Sequence, residues 1–189
     1  SLSSFVGAAW TADGKQIFSA TSRDPDSGEL FLQRDIGRLG ADSKARTFKR
    51  MPVKGNTCNG ALPSPDGKWI AFDKSVENKE RYEPGTLCIM PAAGGKTTDV
   101  IDLTGVLERS VGDYKWSPDG KYLYFTLLKE GTVNLWRCKT PASARAREIE
   151  LDQLTDVDHE IVSFDVTRDG RVVFIACTPQ DPSALFMLN

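Results

Sequence analysis

An Asp-Gly turn recurs along this chain at near-constant spacing. The pairs begin at Asp13, Asp66, Asp119 and Asp169, so successive copies lie 53, 53 and 50 residues apart. The fullest copy is Trp116-Ser117-Pro118-Asp119-Gly120-Lys121, and Ser64-Pro65-Asp66-Gly67-Lys68 repeats it. Trp10-Thr11-Ala12-Asp13-Gly14-Lys15 is looser, and Thr167-Arg168-Asp169-Gly170-Arg171 looser still. A fixed period of this length is the signature of a repeat architecture. Proline presets φ for the second position of a type I turn. Aspartate bonds nearby backbone N–H groups, and glycine takes the positive φ that follows. A type I turn ending in such a glycine closes a bulged hairpin, so each copy is expected to join two antiparallel strands.

Apolar runs flank every turn. The first repeat, about 7–54, has strands at Val6 to Trp10, Gln16 to Ala20 and Leu30 to Gln33, with an outer one at Arg46 to Met51. The second, about 60–105, has Trp69 to Phe72, a long charged loop from Lys74 to Gly85, then Thr86 to Met90 and Thr98 to Leu103. The third, about 113–156, has Lys121 to Thr126, Val133 to Arg137 and Glu148 to Leu151. The fourth, about 162–189, has Ser163 to Val166, Val172 to Ala176 and Ala184 to Leu188, with no fourth strand. Four residues after each turn aspartate stands an aliphatic residue: Ile17, Ile70, Leu123 and Val173. Strands covered on both faces read as continuous apolar runs of this kind. Four-stranded units of this length, arranged radially, make a β-propeller. The expected fold is therefore all-β: a propeller fragment of about four blades, the last incomplete. No amphipathic helix separates the strands, which argues against doubly wound and α/β-barrel folds.

At 189 residues, 40% apolar and 26% charged, the chain suits one globular domain. Its net charge of −2 is spread evenly and gives no electrostatic case for nucleic acid or an anionic membrane as partner. No apolar run is long enough to span a membrane. Ser1-Leu2-Ser3-Ser4-Phe5 has neither a basic region nor a long apolar core, so no signal peptide is expected. The missing initiator methionine reads as a processed or excised chain, and the compartment stays open. Cys58, Cys88, Cys138 and Cys177 form no CxxC; buried thiols are the favoured reading, with disulfides the alternative.

The W-S-P-D-G-K turn followed by an aliphatic–aromatic strand resembles the TolB-like, WD40-like propeller repeat. The order of later pieces is more telling. Arg81-Tyr82-Glu83-Pro84-Gly85 precedes a strand; Glu108 to Trp116, Leu123-Tyr124-Phe125-Thr126, Gln153-Leu154-Thr155 and Pro182-Ser183-Ala184-Leu185-Phe186 follow. This succession resembles the later blades of the propeller in prolyl-oligopeptidase-family (S9) serine peptidases, nearest the dipeptidyl peptidase 5 and acylaminoacyl peptidase branch. The resemblance covers most of 60–189 and, more loosely, 7–54. It implies a propeller that caps an α/β-hydrolase domain bearing Ser, Asp and His. The nucleophile of such a domain sits in G-x-S-x-G. These 189 residues contain no G-x-S-x-G, so no catalytic residue is assigned.

Candidate sites are few. Arg81, Tyr82 and Glu83 lie in the longest inter-strand loop, and the resemblance implies that such loops face a cavity above an active site. A glutamate there would pair with a peptide's free amine and an arginine with a carboxylate. His159, the single histidine, stands between Asp158 and Glu160 without a nearby nucleophile and reads as a loop residue. Asp24, Asp26 and Glu29 form an acidic loop that lacks the full pattern of a calcium loop, and no metal or cofactor is expected. Trp10, Trp69, Trp116 and Trp136 suit burial between blades better than ligand stacking.

Two functional expectations follow. In one, the chain is a non-catalytic segment that gates access of short peptides to a hydrolase domain. In the other, it is a TolB-like scaffold or binding module with no enzyme attached. Its partners in the first case are the hydrolase domain and, through it, short peptides. Self-association through open propeller edges is a further expectation.

Overall fold

The computed structural model describes residues 5–22, 34–41, 49–51, 53, 57–75, 77–78, 81–82, 84–146, 148–158, 160–178, 180 and 183–188. The chain divides into two compact units, Ser1–Glu108 and Arg109–Asn189.

The first unit holds two four-stranded antiparallel sheets. One has the order β1-β2-β3-β4, from Phe5–Trp10, Gln16–Ser22, Arg34–Gly40 and Lys49–Met51. The other runs β5 (Thr57–Pro63), β6 (Trp69–Ser75), β9 (Thr86–Pro91) and β10 (Ile101–Asp102) from one edge to the opposite one. Between β6 and β9 a small hairpin pairs β7 (Glu77–Asn78) with β8 (Arg81–Tyr82). In the second unit, β11 (Val111–Trp116), β12 (Tyr122–Lys129), β13 (Thr132–Lys139) and β14 (Leu151–Gln153) make the third repeat. The fourth repeat consists of β15 (Glu160–Val166), β16 (Val172–Cys177) and β17 (Ala184–Leu188). The two repeats share one seven-stranded sheet, because β13 and β15 meet in a single parallel pairing, Val133 with Glu160. Each repeat is otherwise an antiparallel meander, as the turn spacing predicts.

The turns close by the expected chemistry. Asp66 Oδ1 accepts from the Lys68 N–H at 3.1 Å and from Ser64 Oγ at 2.6 Å. Ser64 Oγ in turn accepts from the Trp69 N–H at 2.9 Å. Ser117, Asp119, Lys121 and Tyr122 reproduce these bonds at 2.7, 3.0 and 2.9 Å. Gly67 and Gly120 sit at φ of 71° and 70°, where a Cβ would be strained.

One residue distinguishes the fourth turn. Trp10 pairs with Ile17, Pro63 with Ile70 and Trp116 with Leu123, seven residues apart in each case. Val166 pairs with Val172, six apart. A strand displaced by one residue presents the opposite set of side chains. The structural counterpart of Leu123 is therefore Val172, not Val173 as the alignment on Asp-Gly suggested. Val172 and Phe174 accordingly face the core.

Within each unit the two repeats pack face to face. In the first, Phe18, Ile36 and Met51 of one sheet meet Cys58, Ile70, Phe72, Cys88 and Met90 of the other. In the second, Tyr124 and Leu135 meet Ile161, Phe164, Val172, Phe174 and Ala176. The second sheet is also buried on its other face, through Trp69, Ala71, Leu87 and Ile89. No disulfide joins Cys58, Cys88, Cys138 or Cys177, and burial pushes the Cys88 and Cys138 thiols up to about 12.

Some strands differ from expectation. The third strand is Arg34–Gly40; the expected Leu30 to Gln33 lies outside the described residues. Asp35, Gly37 and Arg38 hide this strand from a search for apolar alternation, although Asp35 is buried and its Oδ1 accepts from the Val53 N–H at 3.2 Å. The expected strand at Glu148 to Leu151 begins only at Leu151. The stretch Thr98 to Leu103 opens as a 3-10 turn at Thr97–Asp99 and is strand only at Ile101–Asp102.

Candidate functional site

The loop from Lys74 to Gly85 is organised by the β7–β8 hairpin. Glu77 pairs with Tyr82 and Asn78 with Arg81. Arg81 and Tyr82 thus occupy backbone positions on one strand of a hairpin that leaves the second sheet between β6 and β9. Glu83, His159 and the acidic loop of Asp24, Asp26 and Glu29 lie outside the described residues.

The root of the hairpin carries a polar chain that the sequence reading missed. Arg34 Nη1 donates to Asn59 Oδ1 at 2.8 Å, and Asn59 Nδ2 donates to Asp73 Oδ2 at 3.5 Å. Asp73 Oδ1 and Arg34 Nε are buried and have no hydrogen-bond partner among the described residues. Desolvation holds the Asp73 carboxyl above the usual range, and the Asn59 amide offsets this in part. Gly85 makes the arrangement possible, because a Cβ there would lie 2.5 Å from Asp73 Oδ1. Beside it, Lys74 Nζ meets Asp102 Oδ2 at 3.5 Å, and Asp102 Oδ1 accepts from the Gly105 N–H at 2.8 Å. A half-buried, perturbed carboxylate on the strand that leads into the β7–β8 hairpin marks a candidate binding region. No motif announces it: Asp73 reads as the charged end of a strand, and its neighbours Arg34 and Asn59 belong to other strands.

The described residues of the second unit line at least two concave surfaces. One, about 260 Å³, is lined by Ser117, Pro118, Tyr122, Tyr124 and Arg168 near the third and fourth turns. The other, about 310 Å³, is lined by Glu130, Asn134, Trp136, Gln153 and Asp158. Asn134 is occupied structurally, since its Oδ1 accepts from Thr155 Oγ1 at 2.8 Å and from the Val157 N–H at 3.0 Å. Among the described residues no group of three or more His, Cys, Asp or Glu is placed to hold a metal ion. Nor is any helix among them long and apolar enough to cross a membrane.

No family model matches the chain. Two curated proteins are related to it at a distance. It is 29% identical over 106 residues to dipeptidyl-peptidase 5 of Porphyromonas gingivalis, covering 56% of this chain and 14% of that protein. It is 26% identical over 188 residues to a probable dipeptidyl-peptidase 5 of Trichophyton verrucosum, covering 94% of this chain and 25% of that protein. The chain therefore spans a quarter or less of the length of these relatives. Among solved structures, the β-propeller domain of the Trilobed protease from Pyrococcus furiosus superposes with a TM-score of 0.66 at 24% identity, over 98% of this chain and 49% of that one. The acylaminoacyl peptidase of Pyrococcus horikoshii gives 0.69 at 21% identity, over 100% of this chain and 26% of that one. TolB of Acinetobacter baumannii gives 0.63 at 17%, over 99% and 41%. These likenesses show the fold: an all-β, propeller-type repeat structure, distantly related in sequence to dipeptidyl-peptidase 5.

Proposed function

We propose that this chain is a non-catalytic propeller segment of a serine peptidase of the dipeptidyl or acylaminoacyl type. In this reading it gates the access of short peptides to an α/β-hydrolase domain outside these 189 residues. The distant relation to two dipeptidyl-peptidase 5 proteins carries the reading. The absence of G-x-S-x-G from the sequence supports a supporting rather than a catalytic part. Within the segment, Arg81, Tyr82 and Glu83 are the proposed peptide-contacting residues. Glu83 would pair with a free amine, where exclusion of water strengthens the ion pair.

The likeness to TolB favours a second reading, a scaffold or protein-binding module with no enzyme attached. Kinetics on the intact encoded polypeptide separate the two. In the first reading Glu83→Ala weakens turnover of peptides with a free amine more than of blocked ones, and leaves thermal stability unchanged. Equal effects on both substrates would remove Glu83 from the site, and an intact polypeptide with no hydrolase activity would favour the scaffold.

A further inference from the structure

Asp73 stands near the point where the loop carrying Arg81, Tyr82 and Glu83 leaves the second sheet. Asn59 on β5 lies directly opposite it on one side, and Leu87 on β9 on the other. The last rung between β6 and β9 is Lys74 with Thr86, and Thr86 Oγ1 donates to the Lys74 carbonyl at 3.4 Å. Past this rung the chain departs to form the β7–β8 hairpin, and it returns to β9 through Pro84 and Gly85.

The Asp73 side chain bears on that return. A Cβ on Gly85 would come within 2.5 Å of Asp73 Oδ1 and 3.2 Å of its Cγ, so the carboxyl group lies against the bare Cα. Gly85 is two residues before Leu87 and thus diagonal to Asp73, a spacing at which neighbours on one sheet face meet. The other carboxyl oxygen is held from the far side. Asn59 Nδ2 donates to it at 3.5 Å, and Arg34 Nη1, from β3 of the first sheet, donates to Asn59 Oδ1 at 2.8 Å. The row therefore runs from one sheet, across the next, to the returning leg of the hairpin. Pro84 alone separates Gly85 from Glu83. Proline fixes its own φ and restricts the residue before it, so a shift at Gly85 finds little slack to absorb it. Burying a carboxyl works against stability at neutral pH, and departures of this kind concentrate at functional positions.

We infer that Asp73, braced by Asn59 and Arg34, is a positioning residue for Arg81, Tyr82 and Glu83: its side chain seats Gly85 and sets where the return leg of the hairpin joins the sheet. This role presupposes the reading of those three residues as peptide-contacting. Shape carries it rather than charge. Asp73→Asn keeps the seat, Asp73→Ala empties it, and Gly85→Ala drives the carboxyl group off it.

Two measurements on the intact encoded polypeptide test this. Hydrogen–deuterium exchange read by mass spectrometry follows the segment from Glu77 to Thr86, and steady-state kinetics follow peptides with free and with blocked amines. Asp73→Ala and Gly85→Ala are each expected to speed exchange severalfold in that segment and to leave β12 and β13 unchanged. Each should raise KM severalfold for free-amine peptides and leave kcat on blocked peptides as it was. Asp73→Asn should retain the parental exchange and KM. The double variant of Asp73→Ala with Gly85→Ala, which has no clash to relieve, should fall short of the product of the two single effects on KM. Unchanged exchange in both single variants would overturn the inference, even where selective turnover leaves the peptidase reading standing. Equal losses on free and blocked peptides would also overturn it, since a merely structural role affects both alike. Faster exchange in a polypeptide that cleaves no peptide would support the seat at Gly85 and sink the peptidase reading instead.

Discussion

The Leu87 backbone N–H donates to Thr104 Oγ1 at 2.9 Å, and the Leu135 N–H donates to Thr155 Oγ1 at the same distance. In the second and third repeats a threonine just past the outer strand thus reaches back to the third strand and satisfies a buried donor. The preceding leucine adds a backbone bond, from Leu103 N to Leu87 O and from Leu154 N to Leu135 O. The Leu-Thr pair is thus a clamp that fastens the exit of one repeat to its own sheet.

Thr104 is fully buried, so its loss is expected to be costly. Thr104→Val keeps the shape and leaves the Leu87 N–H without an acceptor, at a cost of about 1–3 kcal/mol. Thr104→Ser keeps the hydroxyl and should cost clearly less. Urea unfolding at constant m-value measures both. A larger loss for Ser than for Val would mean that packing of the methyl group, not the hydrogen bond, is what matters.

Asp73 works against stability at neutral pH. Its folded pKa is raised above 3.8 by desolvation, so the folded chain binds the proton more readily than the unfolded one. Stability therefore suffers while the carboxyl is ionised, above the raised pKa, and recovers as pH falls through that pKa toward 3.8. Asp73→Asn is expected to be more stable than the parent at pH 7, and the gap should close as pH approaches 4. Thermal melts of both proteins across this range check it. A destabilised Asp73→Asn at pH 7 would show that the ionised carboxylate has a partner it needs.

Asp119 behaves in the opposite sense. Bonds from Ser117 Oγ and the Lys121 N–H hold its pKa down to about 2. Its contribution to the turn is fully present above 3.8 and is lost as pH falls through about 2. Carboxyl-carbon NMR titration should place its midpoint well below that of an ordinary aspartate. Ser117→Ala should move the midpoint back up, since the Ser117 hydroxyl is the largest cause of the depression. An unshifted midpoint in the parent would remove the turn's internal hydrogen bonding from the account.

Much of the repeat plan was legible in the sequence, because turn chemistry is local. Pro65, Asp66 and Gly67 announce their turn within three residues, and the strands on either side are apolar. Two features were not legible. The one-residue difference between the third and fourth turns lies in strand pairing, and Val173 satisfies the pattern as well as Val172 does. The Arg34–Asn59–Asp73 chain joins three strands, and each residue alone looks like an ordinary surface polar group. Arg81 and Tyr82 are singled out by resemblance; the structure adds their hairpin backbone pairing and a half-buried carboxylate on the strand that leads into it.

Peptide-length selectivity of the intact encoded polypeptide tests the gating account most directly. Purified protein is incubated with short peptides and with long unfolded chains bearing the same cleavable N-terminal sequence. The account predicts turnover of the short peptides, little cleavage of the long chains, and loss of that discrimination when residues 1–189 are deleted. Equal cleavage of both in the intact protein, or discrimination that survives the deletion, would contradict it.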